Sequence, residues 1–114
     1  AATTAGMDRD SRVRAYYRRL DNGEYAELES LLHPTFVQRR PDRTFEDRAS
    51  FLEFMRSERP LTETTHKLTT ICASEGGRAA SGRLLDADGN ELFSFIDVFE
   101  FGPDGRLTRL TTYV

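Results

Sequence analysis

From Val13, apolar side chains return at Tyr16, Tyr17 and Leu20, the i, i+3, i+4, i+7 spacing that lays one apolar stripe along a helix. Asp8, Asp10 and Ser11 suit its first turn, and Asp21-Asn22-Gly23 predicts its end, because Asn and Gly accept the backbone geometry that closes a helix. A second short helix carries Tyr25, Leu28, Leu31 and Leu32 on one face. Pro34 disfavours helical geometry at His33 and stops it, which makes His33 a helix-end residue. Thr35 to Arg39 reads as a short strand, and a turn comes next at Pro41-Asp42. Thr44, with Asp47 three residues later, predicts a capping box that opens a third helix through about Ser57. Phe51, Leu52, Phe54 and Met55 give that helix its apolar face, and Pro60 closes it.

Beyond Leu61 the pattern changes to Thr-rich and alternating stretches. Breaks at Glu75-Gly76-Gly77, Asp86 to Asn90 and Gly102 to Gly105 are hairpin signals. Four strands result, at about Thr64 to Ala73, Arg78 to Leu85, Glu91 to Phe101 and Arg106 to Val114. Helices first and a strand meander afterwards predict an α+β fold, with the helices on one face of a curved antiparallel sheet.

The 114 residues suffice for one domain, taken as 7–114, with the small residues 1–6 read as a disordered tail or cloning remnant. No apolar run spans a bilayer and no leader pattern precedes Met7, so a soluble, cytoplasmic protein is expected. A formal charge of -3 argues against nucleic-acid binding. A lone Cys72 excludes an intramolecular disulfide framework and reads as a small buried hydrophobe. Two separated His residues and the lack of nucleotide or metal-binding motifs predict neither metal nor cofactor.

The strand from Phe93 to Phe101 carries the chemistry. Alternation puts Phe93, Phe95, Asp97, Phe99 and Phe101 on one face. A carboxylate in a row of phenylalanines is paired, lines a wet cavity, or keeps its proton because desolvation raises its pKa. It is thus either a pocket acid or the acceptor for a neighbouring Arg or Tyr. The opposite face, Ser94, Ile96, Val98 and Glu100, is half apolar and suits a subunit interface.

Taken together, the run Val13 to Leu20 before Asp21-Asn22-Gly23-Glu24-Tyr25, the segment Leu31 to Val37, Phe95-Ile96-Asp97-Val98-Phe99 and Gly105-Arg106-Leu107 leading to Thr112-Tyr113-Val114 resemble the nuclear-transport-factor-two-like superfamily. The likeness is strongest to SnoaL-like, polyketide cyclase-like proteins and more distant to ketosteroid isomerase. It implies a cone of bent sheet plugged by three helices, a cavity between them and a homodimer. It also implies that Tyr16 and Asp97 match the tyrosine and protonated aspartate that hold the oxyanion in ketosteroid isomerase. That enzyme's general base falls on Arg39, whose guanidinium cannot take a proton from carbon. Steroid isomerisation is therefore not what the resemblance implies.

Candidate catalytic residues are Asp97, Tyr16 and His66, the last placed on one strand face with Leu68, Thr70 and Cys72. Candidate ligand-binding residues are Arg39, Arg40, Phe95, Phe99, Tyr17, Leu110 and Thr112, with one of the two arginines pointing inward and able to hold an anion. Tyr16 and Tyr17 lie about 100° apart on their helix, so only one aims at Asp97, and the resemblance selects Tyr16. Three functions stay open: a cofactor-independent isomerase, cyclase or hydratase of a small carbonyl compound; a non-catalytic binder of a small-molecule ligand; and a dimeric interaction domain.

Overall fold

A computed structural model describes residues 8–59 and 63–114. The N-terminal tail and Pro60 lie outside the described residues. Helix α1 (Arg9–Asp21) begins at Asp8, whose carboxylate accepts from the Ser11 amide at 2.7 Å, and closes at Asn22, whose amide donates to Arg18 and Leu20 carbonyls. Helix α2 (Tyr25–Leu31) runs directly into strand β1 (Leu32–Arg39), three residues earlier than the sequence pattern places it. His33 is accordingly a strand residue, and its Nδ1 bonds the Thr35 hydroxyl at 2.8 Å.

The expected capping box is replaced by two separate devices. Thr44 and Phe45 form a short strand β2 against β1, while Asp47 itself caps helix α3 (Arg48–Glu53) by accepting from the Ser50 amide at 2.7 Å. Pairing with β1 and burial of Phe45 outweigh the local capping pattern. The helix then widens into a π-helical turn, Phe54–Glu58, closed by the Arg59 amide donating to the Phe54 carbonyl at 3.0 Å. Such a turn holds an extra residue and re-aims the chain beyond it.

Strands β3 (Thr65–Ser74), β4 (Gly77–Leu85), β5 (Glu91–Phe101) and β6 (Leu107–Tyr113) form the meander expected from the turn signals. The six-stranded sheet has the order β2-β1-β6-β5-β4-β3, antiparallel except for the β1–β6 pair. Register shifts between β1 and β6, β3 and β4, β4 and β5, and β5 and β6 mark bulges, which bend strands and curl the sheet. The bulge between Leu68 and Thr70 also reverses the alternation of β3: Ile71 takes the inward side and Cys72 is exposed, so Cys72 is neither buried nor on the face of His66.

The helices pack across the concave side, where Tyr16, Phe36, Phe51 and Phe99 are fully buried. Phe51 lies edge-on to Phe36 and Phe45 and stacks on Tyr16, tying α1, β1 and β2 to α3. Each such side chain contributes about 1.5–3 kcal/mol by leaving water. Among the described residues no helix is long and apolar enough to cross a membrane.

Candidate functional site

The cone holds a cavity of about 600 Å³, lined by residues of α1, β1, the π-helical turn, β3, β4, β5 and β6. Asp97 lies on its wall and is only 4% exposed. The alternation of β5 works as the sequence suggests: Phe95, Asp97 and Phe99 are buried, while Phe93 stays exposed at the cavity and Ile96 faces out on the other side.

Both oxygens of Asp97 are held. Tyr17 donates from its hydroxyl to Oδ2 at 2.5 Å, and Thr112 donates to Oδ1 at 2.6 Å. Burial pushes the Asp97 carboxyl above its ordinary value, against the pull of these two donors and of the charges on His66 and Arg40. Burial and the nearby carboxylate likewise hold both tyrosines well above the usual phenol range. Tyr16 and Tyr17 are therefore neutral donors at any physiological pH.

The division of labour between them differs from the expectation. Tyr17, set aside as a ligand contact, is the partner of Asp97 and does not line this cavity; Tyr16 lines the cavity but is not the residue bonded to Asp97. Successive helix positions diverge enough that Tyr17 meets the sheet while Tyr16 meets the open space.

The β1 register settles the arginines. Phe36 and Gln38 are buried, Arg39 points outward and is exposed, and Arg40 turns inward onto the cavity. Arg39 does not line the cavity. Gln38, missed in the sequence, donates from Nε2 to the Thr112 hydroxyl at 3.3 Å, completing a chain from Gln38 through Thr112 to Asp97. Its polarity on an otherwise apolar inward side was the available signal. Leu110 and Phe99 are fully buried in the core and do not reach the cavity, whereas Phe95 and Thr112 do.

His66 lines the cavity between Tyr17 and Phe95, whose rings lie 5.1 and 5.5 Å away. At its back, Asp21 accepts from the ring Nδ1 at 2.6 Å and from the His66 amide at 2.8 Å. A carboxylate can only accept, so Nδ1 carries a proton, and Nε2 is the ring nitrogen that Asp21 does not engage. Asp21, read from sequence only as a helix stop, is the residue that orients His66. Among the described residues no cluster of His, Cys, Asp or Glu could hold a metal ion.

Three helices set against a curved, mostly antiparallel sheet, with an acid, a tyrosine and a histidine around one cavity, define a class of α+β cone protein. The chain belongs to the SnoaL-like domain family, whose model matches residues 13–110. A ketosteroid isomerase-like protein from Kribbella flavida DSM 17836 superposes with a TM-score of 0.77 at 23% identity, covering 90% of this chain and 73% of that one. A polyketide cyclase-like protein from Sinorhizobium meliloti gives 0.77 at 10% identity, covering 98% and 100%. SalBIII, an epoxide hydrolase/cyclase-like enzyme of pyran ring formation in the polyether salinomycin, gives 0.77 at 18% identity, covering 92% and 88%. At these identities the likeness establishes the fold. A comparison with curated protein sequences finds no match.

Proposed function

We propose that the chain is a cofactor-independent isomerase, cyclase or hydratase acting on a small, largely apolar carbonyl compound in the cone cavity. The observation that carries this reading is the convergence of Tyr16, Asp97 and His66 on one cavity, with the back of Asp97 held by Tyr17 and Thr112 and the back of His66 held by Asp21. In the first step, His66 Nε2 takes a proton from the carbon beside the carbonyl. The electron pair moves onto the carbonyl oxygen, where the Tyr16 hydroxyl and the protonated form of Asp97 donate to the developing enolate. Return of the proton at another carbon isomerises; attack of the enolate on a second carbonyl closes a ring. The isomerase-like and cyclase-like character of structural neighbours supports the same reading.

The test is solvent deuterium exchange at the α-carbon of a panel of cyclic ketones and enones, monitored by NMR. Wild-type protein accelerates exchange, and Asp97→Asn abolishes it while barely changing ketone affinity. Exchange that survives in Asp97→Asn sinks the acid role.

A second reading, non-catalytic ligand binding, draws support from the full engagement of both Asp97 oxygens by protein donors. It expects binding without exchange. In either case we extend the proposal to a homodimer through the outer face of β5, where Ile96 is 50% exposed next to half-buried Val98. Analytical ultracentrifugation of wild type and Ile96→Glu checks it.

A further inference from the structure

The cavity combines its acid, tyrosine and histidine with a separate set of cations that the enolate chemistry does not use. Arg40, next in the chain after β1, and Arg59, next after the π-helical turn, both line it. The turn from Arg40 to Arg43 is closed by the Arg40 amide donating to the Arg43 carbonyl at 2.8 Å, and it sets two guanidinium groups on one ring: Arg40 lies 5.6 Å and Arg43 4.8 Å from the Phe54 centroid. The Arg59 amide closes the π-helical turn on the carbonyl of that same Phe54. Arg40 Nε pairs with Asp42 at 3.2 Å, which pins the plane of the guanidinium. That contact is made through Nε, and Asp42, mostly in solvent, lines the same cavity beside Arg40. The terminal amino groups of Arg40 present the planar fork that matches a carboxylate.

We propose that the substrate carries a carboxylate, seated on Arg40 with Arg59 beside it, and is therefore an acid-bearing carbonyl compound such as a keto acid. The inference rests on the reading of the cavity as a site for carbonyl compounds and adds the charge and orientation of what enters. The apolar residues Leu20, Leu84, Phe93 and Phe95 line the same cavity and accept the hydrocarbon part. A bound carboxylate adds an acceptor for the Arg40 guanidinium, and the partly desolvated surroundings strengthen that attraction over its value in water. Holding the acid at the arginines fixes which end of the molecule meets Tyr16, Asp97 and His66, so Arg40 acts as an orienting residue as well as an anchor.

Three probes of one shape test this: 2-naphthoate, 2-naphthamide and 2-naphthol, titrated by calorimetry at neutral pH with NMR shifts of Asp97 and Tyr16 reporting cavity occupancy. The expected result is naphthoate binding at least about tenfold tighter than naphthamide, the usual scale for a well-placed charged contact. Arg40→Gln removes the preference, Arg59→Gln reduces it, and naphthol affinity changes little in either variant. Equal binding of naphthoate and naphthamide to wild type, or a preference that persists in Arg40→Gln, overturns the carboxylate inference. If naphthol and naphthamide shift Asp97 and Tyr16 in that case, the cavity reading stands alone. If no probe shifts either residue, both the inference and the proposed function fail.

Discussion

The Tyr17 hydroxyl, on the first helix, donates to Asp97 Oδ2, on the fifth strand, across a buried 2.5 Å contact. This bond ties the helical layer to the sheet at a carboxyl group buried among phenylalanines.

Removing it by Tyr17→Phe leaves a buried carboxylate with one donor fewer. We expect a loss of about 1–3 kcal/mol in stability, read from urea unfolding, and a further rise in the Asp97 pKa, read by carbon-13 NMR of its carboxyl group. Tyr16→Phe leaves both Asp97 hydrogen bonds in place, so it is expected to affect catalysis and ligand contact more than the Asp97 titration. Equal pKa changes in the two variants would show that the bond is not what sets the carboxyl.

Asp97 also imposes a pH dependence of definite sign. Its folded pKa lies above the ordinary 3.8, so the folded state holds the proton more tightly than the unfolded chain. The resulting stability is complete below 3.8 and is lost as pH rises through the folded value. Asp97→Asn cannot ionise, so its stability relative to wild type should climb over that interval and level off above it. Parallel urea titrations of the two proteins from acid to neutral pH give the difference directly, because the exposed aspartates with lowered pKa values, such as Asp8 and Asp47, are common to both.

Asp21 fixes both the ring and the backbone of His66. Asp21→Leu leaves those two donors without their acceptor, and a loss of about 1–3 kcal/mol is expected. Hydrogen exchange should accelerate at the His66 amide and its β3 neighbours, while amides at the Gly105 turn stay protected as before. The α-carbon exchange activity should fall as well, because the histidine loses its fixed tautomer.

Gly77 is a position of close approach. A β-carbon there would come within 2.0 Å of the Phe99 carbonyl oxygen on the paired strand. Gly77→Ala forces β4 and β5 apart beside the Asp97 segment and should cost about 1–3 kcal/mol or more, as overpacking does. Alanine at Gly76, whose β-carbon would meet open space, probes instead a left-handed backbone with φ of 76°. Thermal unfolding reads the cost of each variant and amide NMR separates their causes, since only Gly77→Ala should disturb amide signals of β5.

Much of this arrangement is written locally. Strand alternation alone puts Asp97 among Phe95 and Phe99, and helical spacing alone puts Tyr16 and Tyr17 on the buried side. What local patterns leave open is which of two adjacent tyrosines reaches a strand eighty residues away, since that depends on how α1 is rotated against the sheet. The same holds for Asp21 and His66, whose bond spans the chain from helix end to strand start. Bulges account for other departures: one extra residue in β3 reversed the faces after Leu68 and carried Cys72 outward. The inward position of Gln38 and Arg40 comes from where β1 joins β6 and β2, a tertiary register that Thr35 to Arg39 do not encode by themselves.

The parallel pairing of β1 with β6 bears on how the molecule assembles. Strands β3 to β6 meet as successive hairpins, each closing a short loop, whereas β1 reaches β6 only by bringing together partners such as Leu32 and Leu107 from distant parts of the chain. The entropy of that closure falls on the strand that carries Gln38 and leads into Arg40. The hairpins are therefore expected to order the strand that carries Asp97 and its phenylalanines before the wall that carries Gln38 and Arg40.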